Sequence, residues 1–279
     1  MDFVCPKCME KLKITKEGAA VCQNGHSYDR AKEGYYNLLL SSSGSVHGDN
    51  AEMVTARREF LDSGAYLKLA EKVSDLVLKY MSGKKLLDIG CGEGYYTDII
   101  EKSLRKRRPR VNVSGFDISK DAVKRAAKRN DSLSLTVASA YHMPIGDATF
   151  DMAVNMFSPL AREETHRVLA DDGIFIMAIP GEKHLYGLKK ATYAKPYKNE
   201  VADPELEGFT LLETVRVAYT ILITTKERIK SLFMMTPYAY RTRPEDKERI
   251  LNMDYLDTEV EFLIFVYKKN SEKELSEEQ

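Results

Sequence analysis

A short glycine-rich segment carries the clearest chemical signal in the sequence. An apolar run reaches Asp88 and is followed by Gly90, Gly92 and Gly94. Apolar residues that lead into glycines predict a buried parallel strand and a tight turn, where the missing Cβ lets the backbone approach a ligand closely. The next predicted strand ends at Asp117, a carboxylate suited to binding a pair of ribose hydroxyls. Together these features predict the nucleoside-cofactor half of a doubly wound α/β sheet.

The spacing of the glycines distinguishes between nucleoside cofactors. A dinucleotide site uses G-x-G-x-x-G with the pyrophosphate at a helix N-terminus, whereas this chain has G-x-G-x-G with Glu93 inside the turn. A carboxylate there would repel a pyrophosphate but attract the cationic amino-acid part of S-adenosylmethionine. The string D-I-G-C-G-E-G resembles motif I of class I methyltransferases, so we predict S-adenosylmethionine; a dinucleotide site and an unliganded turn are the alternatives. We expect Cys91 to be a small filler.

Other polar residues are predicted to lie on the same rim, because ligands bind at the carboxyl ends of strands in such sheets. Ser139 and Ala140 follow the third predicted strand, where an adenine edge is usually bound. Asn155 begins a turn that ends at Pro159 and partly matches the Asn/Asp-Pro-Pro-aromatic turn of enzymes that methylate planar nitrogens; an ordinary proline-ended loop is the alternative. His184 is the one imidazole that the pattern places near this rim.

A second cluster of residue types points to a metal. Cys5 and Cys8 form one pair and Cys22 and His26 another, thirteen residues apart. Two such turns at opposite ends of a hairpin can place four ligands around Zn²⁺ in a tetrahedron, and a module of about forty residues needs such a structural metal to fold. We therefore predict a closed, non-catalytic zinc site; three scattered cysteines and a surface histidine are the alternative.

The elements that position these residues follow from hydrophobic periodicity. Strands are predicted at 84–89, 111–116, 134–138, 150–155 and 174–179, with helices at 51–61, 65–81, 95–107, 120–129 and 163–169. This alternation predicts a mainly parallel sheet. Segments 211–220 and 259–267 alternate apolar and polar residues and predict an antiparallel pair at the sheet edge. The predicted organisation is a zinc-binding RNA-recognition module at 1–37, a linker with a helix at 38–64, a methyltransferase domain at 65–269 and a disordered acidic tail at 270–279.

Composition excludes some function classes. The 279 residues are 43% hydrophobic and 30% charged, and 42 basic residues balance 42 acidic ones, so nucleic-acid binding must use local patches. No apolar run has membrane-spanning length and no secretion signal precedes Cys5, which predicts a cytoplasmic protein without a membrane partner. Two local patches are candidates for RNA contact, although cations can also complement a helix C-terminus and tyrosines can simply pack. They are the basic residues Lys102, Arg105, Lys106, Arg107, Arg108 and Arg110, and the tyrosines Tyr28, Tyr35 and Tyr36. Arg57-Arg58 and Lys189-Lys190 are further candidates nearer the rim.

The order of these parts resembles one family over nearly the whole chain: the large-subunit (23S) ribosomal RNA guanine-N1 methyltransferases of the RrmA and tylosin-resistance type. Specific segments carry the resemblance besides motif I and the zinc ligands, namely 31–35, 56–62, 180–185 and 235–238. The resemblance implies zinc on Cys5, Cys8, Cys22 and His26. It further implies S-adenosylmethionine contacts at Tyr66, Gly92, Glu93 and His184, a homodimer, and a guanine in a 23S rRNA hairpin as the target. From the residues alone, Tyr66 could be a core residue and His184 a surface residue.

The expected reaction is in-line transfer of a sulfonium methyl to guanine N1. N1 carries a proton, so a general base or a group that stabilises a negative O6 should help. We name Asn155 and His184 as candidate catalytic residues, the first to position the base edge. A small-molecule methyltransferase and a non-catalytic ribosome-binding protein are the alternatives.

Overall fold

The computed structural model describes residues 2–40 and 48–271. The strands are β1 (Lys13–Ile14), β2 (Ala20–Val21), β3 (Ser27–Tyr28), β4 (Tyr36–Asn37), β5 (Lys85–Ile89), β6 (Asn112–Asp117), β7 (Ser134–Val137), β8 (Phe150–Met156), β9 (Leu169–Pro180), β10 (Phe209–Ile223) and β11 (Leu256–Lys269). The helices are α1 (Ala51–Asp62), α2 (Leu67–Tyr80), α3 (Tyr95–Arg107), α4 (Lys120–Arg129), α5 (Arg162–Val168), α6 (Tyr186–Thr192), α7 (Lys226–Met234), α8 (Tyr238–Arg241) and α9 (Pro244–Leu251). No helix of this described part is long and apolar enough to cross a bilayer.

Eight strands form one sheet in the order β10-β11-β9-β8-β5-β6-β7-β4. Strands β9, β8, β5, β6, β7 and β4 run parallel, and β11 and β10 are antiparallel additions at one edge. The central β5 is buried on both faces, with Leu86, Leu87 and Ile89 fully inaccessible, as expected for a strand covered by layers on both sides. The predicted doubly wound α/β fold is confirmed. Strands β10 and β11 are longer than the predicted 211–220 and 259–267.

Helices cover one face of the sheet. Apolar residues of α2, among them Leu69, Val73 and Leu76, are buried there, where α2 packs against α3, and they belong to one hydrophobic cluster with Leu86 of β5. Helices α3 and α4 have the predicted bounds. Local capping explains why α4 begins where it does, since the Ser119 hydroxyl accepts the backbone N–H of Ala122.

The cysteine-rich N-terminal segment covers part of the opposite face. Phe3 is buried and bridges Ile145 in the connection between β7 and β8, which contains no helix, and the Val4 N–H donates to the Pro144 carbonyl at 2.8 Å. Residues of this segment, including Phe3 and Leu12, share a hydrophobic cluster with Leu87 of β5. The segment therefore takes the place that a crossover helix would fill in a doubly wound sheet.

Strand β4 extends the large sheet from within this segment, which sequence periodicity did not predict. It pairs with β7 in parallel, and the Leu38 N–H continues the ladder by donating to the Val137 carbonyl. Part of the predicted flexible linker at 38–50, residues 41–47, lies outside the described residues, as do 272–279 of the predicted acidic tail. Asn270 was predicted to begin that tail, but its N–H donates to the Gly208 carbonyl, so the last strand extends further than expected.

Candidate active site and zinc centre

The glycine turn lies at the carboxyl end of β5, in the middle of the sheet. Gly90, Gly92 and Gly94 all have positive φ, in the left-handed region that only glycine adopts without strain. A Cβ at Gly90 would lie 2.4 Å from the Cβ of Ser158, so the turn also requires the absence of a side chain there. A Cβ at Gly92 would meet nothing within 4 Å, which leaves open space above the turn.

Asp117 connects the two neighbouring loops of this rim. One oxygen of its carboxylate accepts the Gly92 N–H at 3.0 Å and the other accepts the Ser119 N–H at 2.8 Å. Burial raises the pKa of Asp117, while these N–H groups and the Arg57 guanidinium favour the ionised carboxylate. The predicted ribose-binding acid is thus fixed at the tip of β6, beside the glycine turn.

Three buried polar atoms around the turn have no hydrogen-bond partner among the described residues: Asp88 Oδ1, Glu93 Oε1 and the Tyr96 hydroxyl. The other oxygen of Asp88 accepts the Thr97 hydroxyl at 2.6 Å, and burial raises the Asp88 pKa to about 7. Glu93 is ion-paired with Arg129 at 2.7 Å, an interaction that its position in the turn did not predict. Because buried polar groups are rarely unpaired, these three atoms indicate a polar ligand.

Tyr66 and His184 meet next to this rim although they are distant in sequence. The Tyr66 hydroxyl and Nε2 of His184 are 3.3 Å apart, and Nδ1 of His184 accepts the Glu261 N–H at 3.3 Å. Burial lowers the pKa of His184 to about 3, so the ring is neutral. Since Nδ1 accepts, the hydrogen is assigned to Nε2, which donates to the Tyr66 oxygen. The hydroxyl hydrogen of Tyr66 is then available to another acceptor.

The loop after β8 presents an aromatic side chain that sequence reasoning did not select. Phe157 has φ +63° and is 38% exposed, and its ring lies 6.0 Å from that of Tyr96 and 5.3 Å from that of Phe262. The Asn155 side chain holds this loop: its oxygen accepts the Ser158 N–H at 3.2 Å and its amide faces the Pro159 carbonyl at 3.5 Å. Asn155 is buried, so the geometry favours a positioning role over substrate contact.

Ser139 and Ala140 follow β7 and are both half-buried at the same rim. The Ser139 hydroxyl accepts the Tyr141 N–H at 3.2 Å, which closes a short turn. The predicted adenine contact at these two residues stays a prediction.

The four predicted metal ligands converge in the N-terminal segment. Their ligand atoms all lie within 4.8 Å of one another, with Cys8 Sγ and Cys22 Sγ 3.7 Å apart. Nδ1 of His26 lies 3.4 Å from Cys5 and Cys22 Sγ and 3.5 Å from Cys8 Sγ. Tetrahedral zinc with Zn–S of about 2.3 Å and Zn–N of about 2.0 Å places two sulfurs about 3.8 Å apart and sulfur and nitrogen about 3.5 Å apart. The donor set therefore fits zinc with four protein ligands.

The tyrosines near the zinc ligands pack within the protein. Tyr35 and Tyr36 are buried, and the Tyr36 hydroxyl donates to the Gly18 carbonyl at 2.8 Å. The Tyr28 hydroxyl lies 3.2 Å from Cys5 Sγ, the position of an outer group that stabilises a thiolate ligand. Of the two alternatives, this geometry favours packing over RNA stacking for Tyr35 and Tyr36.

Comparisons with known proteins agree with both halves of this arrangement. The family model of the methyltransferase domain matches residues 81–234, and the model of the RlmA N-terminal zinc ribbon matches residues 3–41. The chain is a methyltransferase of the RlmA type. It is 29% identical over 262 residues to the "Putative 23S rRNA (guanine-N(1)-)-methyltransferase YxjB" of Bacillus subtilis, with 89% of this chain and 90% of that protein covered. It is 31% identical over 191 residues to the 23S rRNA (guanine(748)-N(1))-methyltransferase of Streptomyces fradiae, with 67% and 66% covered. The predicted family resemblance is confirmed.

The cofactors of this RlmA-type methyltransferase are S-adenosylmethionine and structural zinc, as the sequence predicted. The space above Gly92, the fixed carboxylate of Asp117 and the unpaired oxygens of Asp88 and Glu93 suit a nucleoside that carries an ammonium group. The zinc ribbon has its donors already gathered, and Cys91 is buried in the turn as a filler. Sequence reasoning did not select Phe157 or Tyr96, whose hydroxyl has no hydrogen-bond partner among the described residues. The one signal for Phe157 was the partly matched turn that begins at Asn155.

Proposed function

We propose that this protein transfers a methyl group from S-adenosylmethionine to N1 of a guanine in 23S rRNA. The observation that carries the proposal is the exposed ring of Phe157, held by a strained turn at the carboxyl end of β8, directly beside the glycine turn. A planar base can stack on such a ring while its edge faces the cofactor site. The names of the two relatives support guanine N1 as the atom that is methylated.

We assign the cofactor contacts to the rim residues as follows. Asp117 binds the ribose hydroxyls, Ser139 and Ala140 border the adenine, and the unpaired oxygens of Asp88 and Glu93 face the ammonium group. Gly90 and Gly92 allow the close backbone approach, and Tyr66 and His184 complete the pocket near the methyl group. The sulfonium of the bound cofactor supplies an electrophilic methyl, so the protein mainly has to align the two reactants.

The N1 proton of guanine must leave during the reaction, and the structure limits which groups assist. His184 is a poor base because its pKa is about 3 and its Nε2 carries a hydrogen. We propose instead that His184 orients Tyr66, whose neutral hydroxyl can donate to an oxygen that becomes negative, such as guanine O6, and that the N1 proton is released to solvent water. Burial raises the pKa of Tyr66 well above its ordinary value, which keeps this hydroxyl protonated.

The fold also suggests how the RNA is bound. Lys106, Arg107 and Arg110 are exposed and precede β6, so they lie at the amino-terminal edge of the sheet, opposite the cofactor rim. We propose that they contact phosphates of a flanking RNA helix rather than the target loop. A homodimer, which the family resemblance implies, and a cytoplasmic location, which the sequence predicts, remain part of the proposal; light scattering of the purified protein tests the first.

The experiment that tests the function is transfer of tritium from labelled S-adenosylmethionine to 23S rRNA that lacks the modification, followed by mapping of the labelled base. We expect label at N1 of a single guanine. Cofactor binding without RNA label would refute the proposed substrate, and label on a small metabolite in the absence of RNA would identify a small-molecule enzyme. Failure to bind S-adenosylmethionine would indicate a non-catalytic ribosome-binding protein.

A further inference from the structure

Arg57 lies in α1 and connects two segments that are far apart in sequence. One guanidinium nitrogen is ion-paired with Asp49, and another donates to the Met235 carbonyl, just after α7, at 3.3 Å. The side chain is half-buried, with 32% of its surface exposed. The sequence predicted an RNA contact for this arginine, but its surroundings point elsewhere.

The segment that carries Arg57 borders the cofactor rim. The Ser119 hydroxyl donates to the Asp49 carbonyl at 2.7 Å, and a Cβ at Gly48 would lie 2.7 Å from Cγ2 of Ile118. Ser119 in turn donates its N–H to Asp117. The start of α1 is thus packed against the same loop that fixes the ribose-binding acid.

The charges of this rim require a cation for one part of the cofactor. S-adenosylmethionine carries a carboxylate, and the rim already contains the buried acids Asp88 and Glu93 and the half-buried Asp117. A fourth negative charge in this place would be repelled unless a cation meets it. Arg129 is already engaged by two acids, Glu93 at 2.7 Å and Asp62 at 2.8 Å.

Arg57 has more N–H donors than its two contacts within the protein use. Its guanidinium has five N–H donors, of which the Asp49 ion pair and the Met235 carbonyl use only part. Burial lowers the pKa of Arg57, while the nearby charges of Asp117 and Glu93 favour its charged form, so the guanidinium is within electrostatic reach of the glycine turn. The buried Tyr96 hydroxyl lies on the first turn of α3 and has no hydrogen-bond partner in the described part of the chain, and a helix N-terminus favours anions.

We propose that Arg57 binds the carboxylate of the bound S-adenosylmethionine, with the Tyr96 hydroxyl as a second donor. This inference rests on the proposed use of the cofactor rim, but not on the identity of the methyl acceptor. It assigns Arg57 to cofactor affinity and to the position of the amino-acid part, and it removes Arg57 from the residues that contact RNA.

The test compares two ligands that differ in the amino-acid part, in the absence of RNA. S-adenosylhomocysteine has the carboxylate and 5′-methylthioadenosine lacks it. Isothermal titration of Arg57→Gln should show affinity for S-adenosylhomocysteine lowered about 10- to 100-fold, the range for losing a hydrogen-bonded charge, with affinity for 5′-methylthioadenosine unchanged. Tyr96→Phe should show the same selectivity with a smaller effect. Arg58→Gln is the matched control, because Arg58 forms an ion pair with Asp62 at 3.5 Å.

Two outcomes would overturn the proposal. An equal loss of affinity for both ligands would mean that Arg57 only supports the fold of the rim. Unchanged affinity for both, with a raised KM for RNA, would return Arg57 to the RNA contacts. If Arg57→Gln does not fold, Arg57→Lys, which keeps a cation, is measured instead. A ratio of S-adenosylhomocysteine affinity to 5′-methylthioadenosine affinity that is lower than in the unaltered protein supports the proposal, and an unchanged ratio opposes it. If the variants show the expected ligand selectivity but the unaltered protein does not methylate the RNA, the proposed function is contradicted and the assignment of Arg57 stands.

Discussion

Truncation of Phe3 tests whether the zinc ribbon is a structural part of the catalytic domain. Phe3 is 2% exposed and bridges Ile145 in the helix-free connection between β7 and β8. Replacing a buried phenylalanine by alanine costs about 3–5 kcal/mol, because the contacts are lost and a cavity remains. For a protein somewhat above 250 residues, 1 kcal/mol changes Tm by about 2–4 °C, so Phe3→Ala should lower Tm by about 10 °C.

The assay is scanning calorimetry of the zinc-loaded protein. Because ribbon and sheet share one hydrophobic cluster, we expect a single transition that moves as a whole, and a further fall of the same transition when a chelator removes zinc. Ile14→Ala is the matched control: Ile14 lies in β1 of the same ribbon but is 49% exposed, so its truncation should change Tm little. Two separate transitions, with the larger one unmoved by Phe3→Ala, would refute the reasoning.

Three further predictions concern the rim and the RNA. Burial raises the Asp88 pKa to about 7, above its value in the unfolded chain, so the proton stabilises the apoprotein at low pH and this contribution is lost as the pH rises through about 7. Because the ionised carboxylate is the form that attracts the cofactor's ammonium group, cofactor affinity should rise from pH 6 to 8, and Asp88→Asn should flatten this profile in titrations. Phe157→Ala should lower kcat/KM for RNA about 10- to 100-fold by loss of stacking, whereas Phe157→Tyr should retain it and neither should change S-adenosylhomocysteine affinity; equal effects of both substitutions would count against stacking. Replacing Arg107 and Arg110 by glutamine should reduce the slope of log affinity against log salt by about 0.7–0.9 for each lost phosphate contact, with long rRNA fragments but not with the isolated hairpin, as filter binding would show.

Local signals in the sequence were sufficient for most of the parallel sheet. Helices α3 and α4 have the predicted bounds, because a glycine and a serine precede them and apolar residues recur at helical spacing. Strand β4 was missed for the opposite reason: two residues have no period, and the partner strand β7 lies about a hundred residues away. The docking of the ribbon on the sheet depends on the same kind of long-range contact.

The candidate site was predictable where one short segment carries the chemistry. The glycine turn, Asp117 and the convergence of the four metal ligands follow from spacing alone. The sequence could not show that Asn155 uses its amide to hold its own loop, since that depends on a left-handed turn at Phe157. Nor could it show that Glu93 is paired with Arg129, which lies at the end of α4.

Phe262 explains how segments distant in sequence form one pocket. Its ring lies 4.9 Å from that of Tyr66, 4.6 Å from His184 and 5.3 Å from Phe157. Phe262 belongs to β11, and its neighbour Glu261 donates the N–H that fixes the tautomer of His184. The antiparallel extension of the sheet is therefore the common support of the proposed cofactor contacts Tyr66 and His184 and of the aromatic ring proposed to stack on the base. Strand β11 lies between β10 and β9 and is buried along most of its length, so a shift of β11 would displace both parts of the proposed site together.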